Sequence, residues 1–303
     1  MNLVEEYHIP VLLGECVDAL SILPEGGIYV DVTFGGGGHS RLIVNKLSQN
    51  GRLLGFDQDP EAQKNTLSDP RFTFVESNFR ELQKYLRLYG IRKVDGILAD
   101  LGVSSHQLDA AERGFSYRFD ADLDMRMNTK SGDTAADLLN KLSADELQQL
   151  LGEFGEVRNA RTLAQAIVSE RQKQSIKTIH DFLMIIEPNI IGNRFRYLSQ
   201  VFQALRIAVN EEMEALKAFL MQAQELLAPG GRLVVLTYHS LEDRLVKNFI
   251  KSSTFDGSHI QDEFGNITKY FRAVNKKAIE PSQQEIKRNS RSRSAKMRVA
   301  EKI

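Results

Sequence analysis

One cysteine, Cys16, in 303 residues excludes an intramolecular disulfide and a zinc site built on cysteines. That usage fits a reducing cytoplasm. No apolar run reaches the length a membrane helix needs. The start, Met1 to Glu6, lacks a basic stretch followed by an apolar one, so no signal peptide is expected. The histidines at 8, 39, 106, 180, 239 and 259 show no ligand spacing, and no metal centre is expected. There is no internal repeat, and no low-complexity tract beyond the Ser/Arg alternation at 290–294. What remains, 42% hydrophobic and 26% charged residues, is ordinary for a soluble globular protein.

The net charge of −1 hides an asymmetry. Residues 269–303 hold eleven Lys/Arg against three Asp/Glu, a local +8, so the rest of the chain carries −9. A basic end on an acidic body suits either a polyanionic partner or a solvated tail.

The strongest motif is Val30-Asp31-Val32-Thr33-Phe34 running into Gly35-Gly36-Gly37-Gly38-His39-Ser40. Glycines let a backbone turn with positive φ and let a ligand approach closely. The following helix presents free N–H groups. A second strand, Leu53-Leu54-Gly55-Phe56, ends at Asp57, about 20 residues on, where α/β folds hydrogen-bond a ribose. The loop is not a clean G-x-G-x-x-G, because Ser40 takes the last position, and no P-loop Lys follows.

Strands are expected at 28–33, 53–57, 72–76 and 94–100, and helices at 11–21, 39–49, 60–68 and 79–89. This alternation predicts a parallel sheet. It breaks after Asp100 into the loop-rich stretch 101–133, and 134–198 reads as helices only. Ser143-Ala144-Asp145-Glu146 forms a capping box, and Thr178 to Asp181 starts a short helix stopped near Pro188. One long helix is expected over 199–227, stopped by Ala228-Pro229-Gly230-Gly231. A strand at 232–237, a helix at 242–251 and a last edge strand at 295–301 complete the pattern.

Ligands of open α/β sheets bind outside the carboxyl ends of the strands. That rule collects Asp31, Gly35 to His39, Asp57, Ser77-Asn78-Phe79, Asp100 to Ser105 and Tyr238-His239-Ser240. Phe79 suits either a purine face or the core. Asp100 can accept a hydrogen bond from an amine or a hydroxyl, or cap its own loop. His39, at a helix start, is disfavoured as an imidazolium by the dipole. Cys16 has no adjacent base, so methylation of a pyrimidine ring carbon through a thiolate is not expected.

Several strings occur in order: His8-Ile9-Pro10-Val11-Leu12-Leu13, the glycine loop, Asp100-Leu101-Gly102-Val103-Ser104-Ser105, Glu112-Arg113-Gly114-Phe115-Ser116 and Leu123-Asp124-Met125-Arg126-Met127. Phe202-Gln203-Ala204-Leu205-Arg206-Ile207, His239-Ser240-Leu241-Glu242-Asp243-Arg244 and Arg291-Ser292-Arg293-Ser294-Ala295-Lys296 follow. Together they resemble the bacterial 16S rRNA cytosine-N4-methyltransferase family of MraW type, over roughly residues 8–301. The resemblance implies a Rossmann-like α/β methyltransferase sheet with an inserted helical domain. The implied divisions are 1–108, 109–205 for the helical substrate domain, and 206–303 with the basic end. It also implies S-adenosylmethionine as cofactor, held by Gly37, Gly38 and His39 at its methionine part, Asp57 at its ribose and Phe79 at its adenine. Asp100 and Gln107 complete that site, and Asp100 is the catalytic candidate. The implied substrate is a cytidine in the decoding region of 16S rRNA or the small subunit, with no membrane; the oligomeric state stays open.

This chain departs from the family pattern in carrying His106 where many relatives have Pro, and Tyr238 where many have Phe. Many exocyclic-amine methyltransferases carry Asp/Asn-Pro-Pro-aromatic after the fourth strand; here that place reads Asp100-Leu101-Gly102-Val103. Phosphate contacts are expected from Arg126, the inserted helices and Lys287 to Arg298. Rival readings are an amine methyltransferase for DNA or protein, a nicotinamide-dependent oxidoreductase, and a non-catalytic RNA-binding factor that retains the cofactor.

Overall fold

The computed structural model describes residues 10–259, 261 and 268–303. His8 and Ile9, part of the first family string, lie outside them. The chain opens with α1 (Leu13–Ala19), β1 (Ile28–Asp31), α2 (Gly38–Lys46), β2 (Arg52–Asp57), β3 (Phe72–Glu76), α3 (Leu82–Leu88) and β4 (Val94–Asp100). Six helices follow: α4 (Ser105–Asp109), α5 (Ala135–Lys141), α6 (Ala144–Gly155), α7 (Ala160–Arg171), α8 (Ile179–Ile186) and α9 (Arg194–Val209). Then come α10 (Glu212–Leu226), β5 (Leu227–Thr237), α11 (Ser240–Ser252), β6 (Phe271–Ala273), α12 (Gln283–Arg288) and β7 (Lys296–Lys302).

Contacts divide the chain into two compact units, Met1–Gly102 with Glu214–Ile303, and Val103–Met213. Residues 103–108 and 206–213 therefore fall with the helices, whereas the sequence placed them with the sheet.

The first unit holds a seven-stranded sheet in the order β3-β2-β1-β4-β5-β7-β6. β1 to β5 run parallel; β7 is antiparallel to both β5 and β6. β4 shows why the parallel part forms. Val94, Ile97, Leu98 and Ala99 are all buried, the near-continuous apolar run of a strand covered on both faces. Tyr29, Leu53, Leu98, Val234 and Leu236 of the sheet pack with Val17 of α1 and Ile43 of α2. The chain order reverses at β1, which pairs with β2 on one side and β4 on the other. Such a switch point leaves a crevice at the carboxyl ends.

β7 is an interior strand, contrary to the edge position expected for 295–301. The edge is β6, three residues long and too short to show any alternation. Pro60–Asn65 is a 3-10 helix where an α-helix over 60–68 was expected, and the helix expected over 79–89 is α3 entered through a 3-10 turn, Phe79–Glu81.

In the helical unit, Leu147, Leu150 and Leu151 of α6 recur at i, i+3 and i+4 and are buried. Burying each leucine contributes about 1.5–3 kcal/mol. They share a core with Leu163 and Ile167 of α7, Phe182 of α8, and Leu198, Val201 and Leu205 of α9. Capping boxes start α5 at Thr134, α6 at Ser143 and α8 at Thr178. Gly155, at the end of α6, lies against α9: an added Cβ would stand 2.6 Å from the Gln200 carbonyl and 3.0 Å from Ala204 Cβ. Gly155→Ala is expected to destabilise this unit by about 1–3 kcal/mol, as overpacking does. A calorimetric melting point equal to wild type would show that α6 and α9 part without strain.

The expected long helix over 199–227 is two helices. Asn210 ends α9, its amide nitrogen donating to the Met125 carbonyl at 2.8 Å and its oxygen accepting from Met127 N–H at 2.7 Å. Glu211 then takes φ 48°, a left-handed break. Both partners lie more than eighty residues away in sequence, so no local signal marks the break. The strand β5 also starts at Leu227, running through Pro229-Gly230-Gly231 rather than after it.

Candidate active site

The glycine loop is built by backbone geometry. Gly35 and Gly37 have φ of 49° and 73°, where a side chain is strained. Gly37 caps α2 in the left-handed region, and a Cβ at Gly38 would stand 2.2 Å from the Pro10 ring. No larger residue fits there without moving the chain before α1.

Asp57, at the tip of β2, organises this loop. Its Oδ2 accepts from Gly35 N–H at 2.7 Å and its Oδ1 from Asp59 N–H at 2.8 Å. Asn65 Nδ2 donates to the Gly35 carbonyl at 2.9 Å. Each carboxylate oxygen carries two lone pairs, so both can accept further hydroxyls. Burial pushes the Asp57 carboxyl up to about 6, against the two backbone N–H bonds that favour its charge.

Phe79 follows β3. Asn78 accepts from Arg80 N–H at 2.9 Å and donates to Gln58, the neighbour of Asp57, at 2.7 Å. This clamp holds Phe79 on the Asp57 side of the sheet end. The Phe79 ring meets Phe219 of α10 edge-on, with centroids 5.5 Å apart.

Asp100 ends β4. Its N–H donates to Thr33 Oγ1 at 2.6 Å, and its Oδ1 accepts from the Tyr238 hydroxyl at 2.7 Å. His39 Nδ1 lies 3.9 Å from Asp100 Oδ2, while His39 Nε2 lies 3.3 Å from the Val11 carbonyl. Burial holds the imidazole below its ordinary range, so His39 is neutral at pH 7. The helix dipole at the start of α2 acts in the same direction. Asp31 is fully buried, taking Ser40 Oγ at 2.7 Å and Thr33 N–H at 3.1 Å. Tyr238 is fixed in turn by Glu242, whose buried carboxylate accepts from Tyr238 N–H at 2.8 Å.

One unit thus gathers the glycine loop, His39, Asp57, Phe79 and Asp100 at the carboxyl ends of β1 to β4. Gln107 belongs to the helical unit, where it closes a capping box with Ser104 at the start of α4. The motif reading missed Thr33, Gln58, Asn65 and the hydroxyl role of Tyr238. Their partners are 20 to 138 residues distant, and no spacing rule links them.

The basic end is partly folded into the sheet. Arg298 does not extend a free basic tail: it forks onto Asp243, with Nε–Oδ1 at 2.6 Å and Nη2–Oδ2 at 3.0 Å, both residues 13% exposed. Lys296 Nζ lies 3.8 Å from the same carboxylate. β7 pairing turns these two cations inward onto α11. Lys287, Arg288 and Arg293 stay exposed. Arg126 forks onto Asp124 at 2.8 Å through both Nε and Nη2. Cys16 is fully buried, with its Sγ 3.4 Å from Met297 Sδ, and burial pushes the thiol well up. Among the described residues, no helix is long and apolar enough to cross a membrane.

The chain is similar to known proteins over nearly its whole length. A ribosomal RNA small subunit methyltransferase H from Bacteroides fragilis is 58% identical over 297 residues, covering 98% of this chain and 97% of the relative. Its counterpart from Christiangramia forsetii is 50% identical across 100% of both chains. Among solved structures, an rRNA methylase from Streptococcus thermophilus overlaps 98% of this chain and 99% of its own, with 12% identity and a TM-score of 0.45. The model of the MraW methylase family matches residues 5–303, and the chain belongs to that family.

Proposed function

We propose that the protein is an S-adenosylmethionine-dependent methyltransferase that methylates the exocyclic N4 amine of a cytidine in the decoding region of 16S rRNA. Family membership supports the reaction class and the ribosomal substrate. The observation that carries the site is the pairing of the glycine loop with Asp57 at the switch point of the sheet. The residues fit the cofactor: Gly35 and Gly37 take positive φ in the loop, and Asp57 offers lone pairs to ribose hydroxyls. Phe79 supplies apolar area for the adenine.

When bound, S-adenosylmethionine supplies an electrophilic methyl group on a sulfonium. The protein supplies alignment and exclusion of water. The cytosine amine is a poor nucleophile because its lone pair is delocalised into the ring. Asp100, held by Tyr238 and Thr33, accepts a hydrogen bond from that amine, favours a tetrahedral nitrogen and takes the proton lost on methylation. Ring-carbon methylation is disfavoured, since the buried Cys16 thiol has no route to a base. The target base must be unpaired or flipped to enter.

The test is transfer of labelled methyl to small subunits, followed by nucleoside analysis. N4-methylcytidine in 16S RNA is the expected product; a methyl on C5, or on another base, overturns the target atom.

The raised Asp57 carboxyl gives a pH signature. Above about 6 it is ionised and accepts both ribose hydroxyls; below that it carries a proton and loses an acceptor. S-adenosylmethionine affinity, measured calorimetrically, is expected to fall several-fold from pH 7.5 to about 5. A flat profile would place the ribose elsewhere. The same shift bears on folding. The folded value lies above the ordinary 3.8, so stability falls as pH rises from 3.8 to about 6.

A further inference from the structure

The helical unit exposes two phenylalanines beside arginines. Phe195, at the start of α9, is 65% exposed, and Phe119, in the loop before α5, is 40% exposed. Arg194 lies over the Phe195 ring and Arg118 over the Phe119 ring, each 6.0 Å from the centroid. The two pairs are far apart in sequence, and Tyr117 joins them. Its hydroxyl lies 3.4 Å from Ser199 Oγ, and its ring meets Phe202 edge-on at 5.4 Å. Phe195, Ser199 and Phe202 stand at i, i+4 and i+7, one stripe of α9. Tyr117 therefore covers the stripe one turn from Phe195. Phe119 is two residues from Tyr117.

Further arginines stand near the start of α9. Asn159 accepts from the Tyr197 hydroxyl at 2.9 Å, which brings Arg158 and the first turn of α7, with Arg161, to the start of α9. Arg194 pairs with Glu187, and Arg118 Nη2 lies 4.0 Å from Asp109. Arg158, Arg161 and Arg196 are exposed and make no ion pair among the described residues.

We propose that this face holds unpaired nucleotides of the RNA substrate, with bases stacked on Phe119 and Phe195 and the arginines on phosphates. Exposed aromatic faces set among guanidinium groups are the chemistry of single-strand binding, because every base offers a π-face and every linkage a negative charge. The inference rests on the ribosomal RNA reading given above.

The experiment uses the full chain with Phe119→Ala and Phe195→Ala combined, and separately Arg196→Gln. Both phenylalanines are exposed, so folding and S-adenosylmethionine affinity should match wild type. Affinity for a single-stranded RNA oligonucleotide should fall at least tenfold, and KM for small subunits should rise with kcat little changed. Restoring aromatic area with Phe195→Tyr should recover binding, and Arg196→Gln should reduce the salt dependence by about one counterion. Unchanged RNA affinity and KM overturn the proposal. So does a wild-type dimer that the double variant makes monomeric with RNA binding intact, since the patch would then join two copies. If wild type itself transfers no methyl to ribosomal RNA, the earlier reading has failed instead.

Discussion

Asp100→Ala is expected to lower kcat for methyl transfer by about 10²-fold, with S-adenosylmethionine affinity changed far less. That loss corresponds to about 2.7 kcal/mol of transition-state stabilisation. The carboxylate ends β4, accepts the Tyr238 hydroxyl at 2.7 Å and keeps its backbone on Thr33. The hydrogen bond it accepts from the amine strengthens as the nitrogen becomes cationic, so its removal acts on kcat rather than on ground-state binding. Single-turnover kinetics at saturating cofactor separate the two. Near-normal turnover would remove Asp100 from the chemistry and leave a backbone carbonyl as the acceptor. Tyr238→Phe keeps the ring and loses the donor, so it should cost kcat less than Asp100→Ala does.

Gly38→Ala should weaken S-adenosylmethionine binding by about tenfold or more and lower the melting temperature. The added methyl would stand 2.2 Å from Pro10 Cγ and 2.9 Å from its Cδ. A proline ring cannot rotate away, so either the chain before α1 or the start of α2 must move. Movement of α2 displaces the Gly37 turn and His39, and with them the floor on which the cofactor is proposed to lie. Binding calorimetry on the variant decides this. Wild-type affinity with a lowered melting point would show that Pro10 yields and the loop does not.

The cofactor end of the site is the part most visible from sequence. Four glycines after an apolar strand and Asp57 at the end of the next are local patterns, because close approach and positive φ demand glycine wherever they occur. Asp100 was visible for a related reason, as a carboxylate at the tip of an apolar strand. Tyr238 was visible as a residue at a strand's carboxyl end and as a departure from Phe, but its partner was not. Its function depends on β5 lying beside β4, which sets residues 138 apart in sequence within hydrogen-bond reach. The basic end shows the opposite failure. Composition marks 269–303 as a cationic segment, yet strand pairing turns Arg298 and Lys296 onto Asp243 and leaves Lys287, Arg288 and Arg293 outside.

By itself the sequence determined the elements whose causes are local: the βα alternation up to Asp100, the capped helices at Ser143 and Thr178, the glycine turn and the carboxylates at strand tips. Hydrogen bonds to near neighbours and the periodicity of apolar residues set these. Tertiary structure decided the break at Asn210, the interior position of β7, the fixing of Asp100 by Tyr238, and the meeting of Tyr117 with α9. Each of these depends on a partner far along the chain. Such a contact forms only after the backbone has been folded back on itself, so no window of sequence contains both halves of the cause.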